Sequence, residues 1–158
     1  MEIIKHGDKL IERNSEFGYW RGDIPVDVPD TEDLEIRWEA NPMSAELFRE
    51  ILSFFKYTYD EHNAETQLRL YYHRTNGTWK AVAMPQFLES SSLHVEEDEQ
   101  DPRWNDIIVQ LVADGWCLMG SAHHHCGASA FQSGTDLHDE IDTNGFHYTI
   151  GNLNSPKA

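Results

Sequence analysis

Between Ser121 and Asp136 the chain reads SAHHHCGASAFQSGTD, and these residue types at this spacing can hold a metal ion. If the preceding strand continues through the histidines, His123 and His125 point to one side and His124 to the other, because strand side chains alternate. Two imidazoles on one side of a strand end can share one ion at about 2.0–2.1 Å each. Ser133 and Asp136 stand three apart at the start of an expected helix and so share a face. Asp136 can then supply a third, oxygen ligand. Two His and one carboxylate leave a fourth tetrahedral position for water, which is the arrangement of a catalytic zinc rather than a structural one. Satisfied core histidines are the plain alternative, and the matched Ser133 and Asp136 favour the metal. His138 and Asp139 follow closely and read as a solvated helix face. Cys126 reads as a thiol beside the site, directed away from His125.

Several elements must position these groups. A buried strand, Trp116–Ala122, delivers the histidines. A short helix near Thr135–Ile141 carries Asp136, and a strand, Phe146–Ile150, follows a turn at Gly145. Upstream, Leu34, Ile36 and Trp38 alternate with charges and predict a half-buried strand that opens the regular domain. Asn41-Pro42-Met43-Ser44 starts a helix whose apolar residues Leu47, Phe48, Ile51, Leu52, Phe54 and Phe55 recur at helical spacing through about Tyr59. Gln67–His73 and Trp79–Met84 flank Asn76-Gly77, a hairpin signal. Residues 86–101 read as a loop ending in an acidic run. Asp101-Pro102 caps a second helix bearing Trp104, Ile107, Ile108, Leu111 and Val112, with Gly115 as its stop. The order β-α-β-β-α-β-α-β predicts an α/β sandwich around a mixed sheet flanked by helices. Residues 1–33, with a hairpin around His6-Gly7-Asp8 and the extended stretch DIPVDVPDTED, form an accessory segment and acidic linker ahead of a domain spanning 34–158.

H-x-H, seven residues, then S-x-x-D is the zinc motif of the JAMM (JAB/MPN) metallopeptidases, and this chain resembles that family at His123, His125, Ser133 and Asp136. The order of elements over about residues 34–152 is similar too. The resemblance implies the JAB/MPN fold, a cytidine-deaminase-like sandwich. It also implies a Zn2+ cofactor held by His123, His125 and Asp136, and a catalytic Glu at the start of the strand after the first helix. Glu65 stands in that place; Glu61 is its rival nearer the helix, and Glu39 belongs to an earlier strand. In such a site Glu65 is the general base and Ser133 stabilises the oxyanion. The implied reaction is cleavage of a peptide or isopeptide bond after the C-terminus of a ubiquitin-like or sulfur-carrier-like protein. Two features depart from the family: Cys126 stands where many members have Pro after the second His, and little is inserted around the motif. The lack of insertions suggests a member of prokaryotic or phage type, and the stop soon after the last strand suggests a minimal or truncated domain. A non-catalytic MPN-like interaction module and a small-peptide metallohydrolase are the alternative functions. The H-x-E and P-C-x-x-C pattern of zinc deaminases is absent.

Composition narrows the partner. The 158 residues suit one compact domain, and 28 acidic against 12 basic residues give a net charge of −16. Such a charge disfavours nucleic acid, whose affinity depends on clustered Lys and Arg. Five Trp, six Tyr and seven Phe can still fill a core, so the acidity is not that of a disordered chain. No apolar run approaches the ~18 residues of a membrane helix, and the N-terminus lacks a signal-peptide pattern. Two cysteines make no disulfide framework. The expectation is a cytoplasmic protein that acts on another protein.

Overall fold

The computed structural model describes residues 2–6, 10–15, 18–23, 35–38, 40–88, 95–134, 136 and 145–155. The chain divides into two units, Met1–Pro42 and Met43–Ala158. In the first, β1 (Glu2–His6), β2 (Leu10–Ser15), β3 (Gly18–Asp23) and β4 (Glu35–Trp38) form an antiparallel sheet in chain order. The hairpin expected around residue 7 is present, with His6 opposite Leu10. The strand expected to open the regular domain is placed differently. It is β4, and it pairs with β3, Trp20 opposite Ile36, within the first unit. Alternation marks a strand as half-buried but does not name the sheet it joins. The linker read at residues 23–33 lies almost wholly outside the described residues.

The second unit holds a four-stranded mixed sheet in the order β10-β9-β5-β6. Its strands are β5 (Gln67–His73), β6 (Thr78–Val82), β9 (Trp116–His124) and β10 (Phe146–Ile150). β5 runs antiparallel to β6 and β9, and β10 runs parallel to β9. A two-residue ribbon joins β7 (Gln86–Phe87) to β8 (Glu96–Glu97) inside the stretch expected to be loop. The α/β class with a mixed sheet and helices is therefore as the sequence predicts. The helix expected at Thr135–Ile141, with His138 and Asp139, lies outside the described residues apart from Asp136.

Helix α1 (Ala45–His62) begins where Ser44 accepts a hydrogen bond from the Leu47 amide at 3.1 Å. It ends a turn later than the apolar pattern suggests, because Asn63 takes the left-handed conformation and returns its amide to the Tyr59 carbonyl. Its Ile51 and Phe55 pack on Leu68 and Leu70 of β5, Ala122 of β9 and Leu153. Burial of such side chains contributes roughly 1.5–3 kcal/mol each. Helix α2 (Pro102–Ala113) starts at Asp101, whose carboxylate accepts from the Arg103 amide at 2.8 Å. The Arg103 guanidinium also bonds this carboxylate and holds its pKa near 2. Arg69 points away from the α1 face and lies 4.6 Å over the Trp104 ring of α2, so the two helices cover opposite faces of the sheet.

A register shift where Leu70 and Tyr71 meet β9 leaves Met119 without an opposite residue. Beyond it, at Gly120, a side chain is impossible: φ is +143°, and a Cβ would stand 1.9 Å from the Phe146 carbonyl oxygen. That close approach lets β10 lie parallel to the histidine-bearing end of β9. Among the described residues no helix is long and apolar enough to cross a membrane.

Candidate metal centre

Strand β9 continues two residues beyond the expected Ala122 and carries His123 and His124 within it. His123 is opposite Gln67 and therefore shares the Arg69 face of the sheet; Ala122 shares the core face with Leu68. The parity expected from the sequence follows. His123 and His125 converge on one side, and His124 lies on the other, 4.9 Å from the Phe55 ring. All three are at least 95% buried.

His123 Nε2 and His125 Nε2 are 3.1 Å apart. Asp136 places Oδ1 3.4 Å from the first and Oδ2 3.4 Å from the second. Four ligands at 2.0–2.1 Å from a tetrahedrally bound ion are separated by about 3.3–3.4 Å along each edge. Each of the three contacts comes close to that edge length, with the two carboxylate oxygens each facing one imidazole, and the group could hold a metal ion.

Ser133 and Asp136 brace each other. The Ser133 amide donates to Asp136 Oδ2 at 2.7 Å, and Ser133 Oγ accepts from the Asp136 amide at 3.1 Å. This reciprocal pair is a capping arrangement at a helix start, so local chemistry as well as metal chemistry places S-x-x-D here. Burial works to raise the Asp136 pKa, but the Ser133 hydrogen bonds and the nearby His123 and His125 outweigh it and lower the pKa. The hydroxyl of Ser133 spends its oxygen on Asp136 and keeps its hydrogen to donate.

Glu65 sits just ahead of β5 and is 3% exposed, whereas its rival Glu61 lies on an exposed position of α1. Its Oε1 has no hydrogen-bond partner among the described residues, and neither does His125 Nδ1. Burial, followed by the Asp136 charge, pushes the Glu65 pKa up to about 7. A buried carboxylate without its full set of partners is costly; a cation beside Asp136 would relieve it. The segment is held from the other side by Gln86, whose Oε1 accepts from the Gln67 amide at 2.8 Å and whose Nε2 donates to the Gln67 carbonyl at 3.1 Å.

Cys126 lies beyond the strand with φ +48° and is buried. Burial, then the charge of Glu65, raises its thiol pKa to about 11. The thiol is not among the atoms that converge with the His–Asp group. Phe131 meets the His125 ring edge-on, with centroids 4.7 Å apart, and stays half exposed.

The structure also shows a role that spacing alone does not indicate. His124 Nδ1 accepts from the Cys126 amide at 3.2 Å, and its Nε2, which carries the proton of the neutral ring, donates to the Thr66 hydroxyl at 3.0 Å and lies 3.1 Å from the Thr66 amide nitrogen. Burial, and then the nearness of His123 and His125, lowers the His124 pKa to about 4. Nothing in the local pattern points to a contact between residues 66 and 124, which only the β5–β9 pairing brings together.

No family model matches the chain, and no curated protein matches it. Among solved structures, the chain is similar to the solution structure of protein DSY2949 from Desulfitobacterium hafniense. The TM-score is 0.53 at 19% identity, over 73% of this chain and 77% of that one. That likeness is one of fold.

Proposed function

We propose that this protein is a zinc-dependent hydrolase of the JAMM (JAB/MPN) type. It cleaves a peptide or isopeptide bond that follows the C-terminus of a ubiquitin-like or sulfur-carrier-like protein. The observation that carries this reading is the convergence of His123 and His125, 3.1 Å apart at Nε2, on the Asp136 carboxylate, whose two oxygens each lie 3.4 Å from one of them, beside a buried Glu65 carboxylate whose Oε1 lacks a partner among the described residues. The finer assignment, to the JAB/MPN sandwich, rests on the motif spacing and on the delivery of H-x-H by a strand.

Zinc bound by His123, His125 and Asp136 supplies Lewis acidity, which acidifies water and polarises a carbonyl. Glu65 takes the proton of the attacking water on a carboxylate oxygen and passes it to the leaving amine. Ser133 donates its hydroxyl hydrogen to the carbonyl oxygen as negative charge builds there, a contribution of about 3 kcal/mol in comparable sites. Burial of the whole group keeps these interactions strong by excluding water. The absence of any Cys117–Cys126 disulfide suits a reducing cytoplasm.

Metal analysis of the purified protein tests the first step. About one equivalent of zinc is expected in the wild type, and less than half an equivalent in His125→Ala. A wild-type protein free of zinc after dialysis against micromolar zinc sinks the proposal. A second reading, a non-catalytic MPN-like interaction module, draws support from the Ser133–Asp136 capping pair, which needs no metal. It predicts no cleavage across a panel of ubiquitin-like fusion proteins, even by the zinc-loaded chain.

A further inference from the structure

Of the three consecutive histidines, the middle one takes no part in the proposed metal set, yet it is the most deeply buried, with no exposed surface. Its ring nitrogens face two backbone amides that belong to different parts of the chain. Nε2 is 3.1 Å from the amide of Thr66, the residue after Glu65, and Nδ1 is 3.2 Å from the amide of Cys126, the residue after His125. A further polar chain secures the first arm: the Thr66 hydroxyl lies 3.0 Å from His124 Nε2 and 2.9 Å from the Thr58 hydroxyl, which donates to the Phe55 carbonyl. The ring itself is wedged against Phe55 of α1.

We infer that His124 is a positioning residue: its imidazole is a cross-brace that fixes the distance between the base-bearing segment at Glu65 and the ligand-bearing turn at His125. The inference rests on the proposed metal site and deepens it. The physical reason is the rigidity of the ring. Its two nitrogens are held at a fixed separation on a planar frame, so each amide is located relative to the other, and with it the side chain that precedes it. An aliphatic residue of similar size would fill the same space against Phe55 but leave the Cys126 amide without its acceptor and the Thr66 hydroxyl without its donor. Each segment would then be free to shift by the few tenths of an ångström that matter to metal geometry. Groups that orient ligands in this way typically change metal affinity 10- to 100-fold when removed.

The test compares zinc affinity, by competition with a chromophoric chelator, and amide hydrogen exchange in the full chain. His124→Leu keeps packing but removes both ring hydrogen bonds, and is expected to bind zinc 10- to 100-fold more weakly. Phe55→Leu loosens the same packing without touching either amide contact, and is expected to stay within about threefold of wild type, as packing loss alone does not displace a ligand. A folded His124→Leu protein with wild-type zinc affinity, or a Phe55→Leu protein weakened as much as His124→Leu, overturns the inference. If His124→Leu does not fold, His124→Asn carries the test, because its amide oxygen can replace Nδ1 but does not reach the Nε2 position. The Thr66 segment, which loses the Nε2–H bond to its hydroxyl, is then expected to exchange its backbone amides faster while the Cys126 amide keeps its protection; faster exchange at both, or at neither, overturns the brace. A wild-type chain that binds no zinc defeats the proposed function instead, and the exchange measurement still decides whether the brace exists.

Discussion

Two polar clusters lie along β5, one part-buried and one buried, and they are built to opposite specifications. In one, Arg69 gives Glu97 three hydrogen bonds of 2.6–3.1 Å, and the guanidinium lies 4.6 Å over Trp104. Charge, hydrogen bonds and an aromatic face are all matched, so the pair joins β8 and α2 to the sheet. In the other, Glu65 and His125 each keep an unpartnered atom, and Glu65 is held near neutrality by its surroundings. The first cluster is complete with protein atoms alone. The second is left incomplete in the way expected of a site that receives something from solution.

Changes in the two clusters should therefore separate stability from chemistry. The largest effect is expected for Glu65→Gln in the zinc-loaded protein. Cleavage of a responsive ubiquitin-like fusion should fall about 10³-fold, near 4 kcal/mol in the barrier, with zinc content unchanged. A variant that cleaves normally would move the base elsewhere. Next comes the matched cluster. Glu97→Gln leaves the Arg69 charge buried without its partner and should lower unfolding free energy by about 3 kcal/mol in urea titrations, with zinc affinity untouched. Loss of zinc affinity there would erase the distinction between the clusters.

A smaller effect concerns pH in the zinc-free protein. The folded Glu65 pKa, about 7, lies above its ordinary 4.5. The folded state thus holds this proton longer than the unfolded state, and Glu65 contributes a loss of stability as pH rises from about 4.5 to about 7. His124 acts in the opposite sense: its folded pKa near 4, against 6.5, makes stability rise between about pH 4 and 6.5. Because His124 is common to both proteins, comparing Glu65→Gln with wild type isolates the carboxylate. The variant should gain about 2–3 kcal/mol relative to wild type between pH 4.5 and 8, and a gain independent of pH would contradict the shift. The smallest effect is expected for Cys126→Ser, since the thiol is protonated and outside the donor group. Zinc stoichiometry should stay the same, and a lost equivalent would make Cys126 a ligand.

The contrast also marks what the sequence conveys. The mixed α/β sheet was legible because its signals are local: Ser44 and Asp101 as caps, Asn76-Gly77 as a turn between two strand-like runs, and an apolar run at Trp116–Ala122. The His–Asp group was legible because one strand end and one helix start present all three residues within fourteen positions. The partner of β4 was not legible, because an alternating strand can pair with any sheet that offers a matching edge. The ribbon β7–β8 was missed because its anchor, Glu97 on Arg69, joins residues 28 apart. The same holds for Thr66 with His124, 58 apart.

The far end of the turn that follows His125 is secured by residues later in the chain. The His125 amide bonds the Ile150 carbonyl, the Asn152 amide bonds Ala128, and the Leu153 amide bonds Cys126. During synthesis, Glu65 and both histidines are therefore made before the segment that closes their turn. A growing chain can pair β5 with β6 early, but the ligand turn has no mate until residues 150–153 arrive. Order of synthesis thus keeps the His–Asp group from being assembled before residues 150–153 are in place.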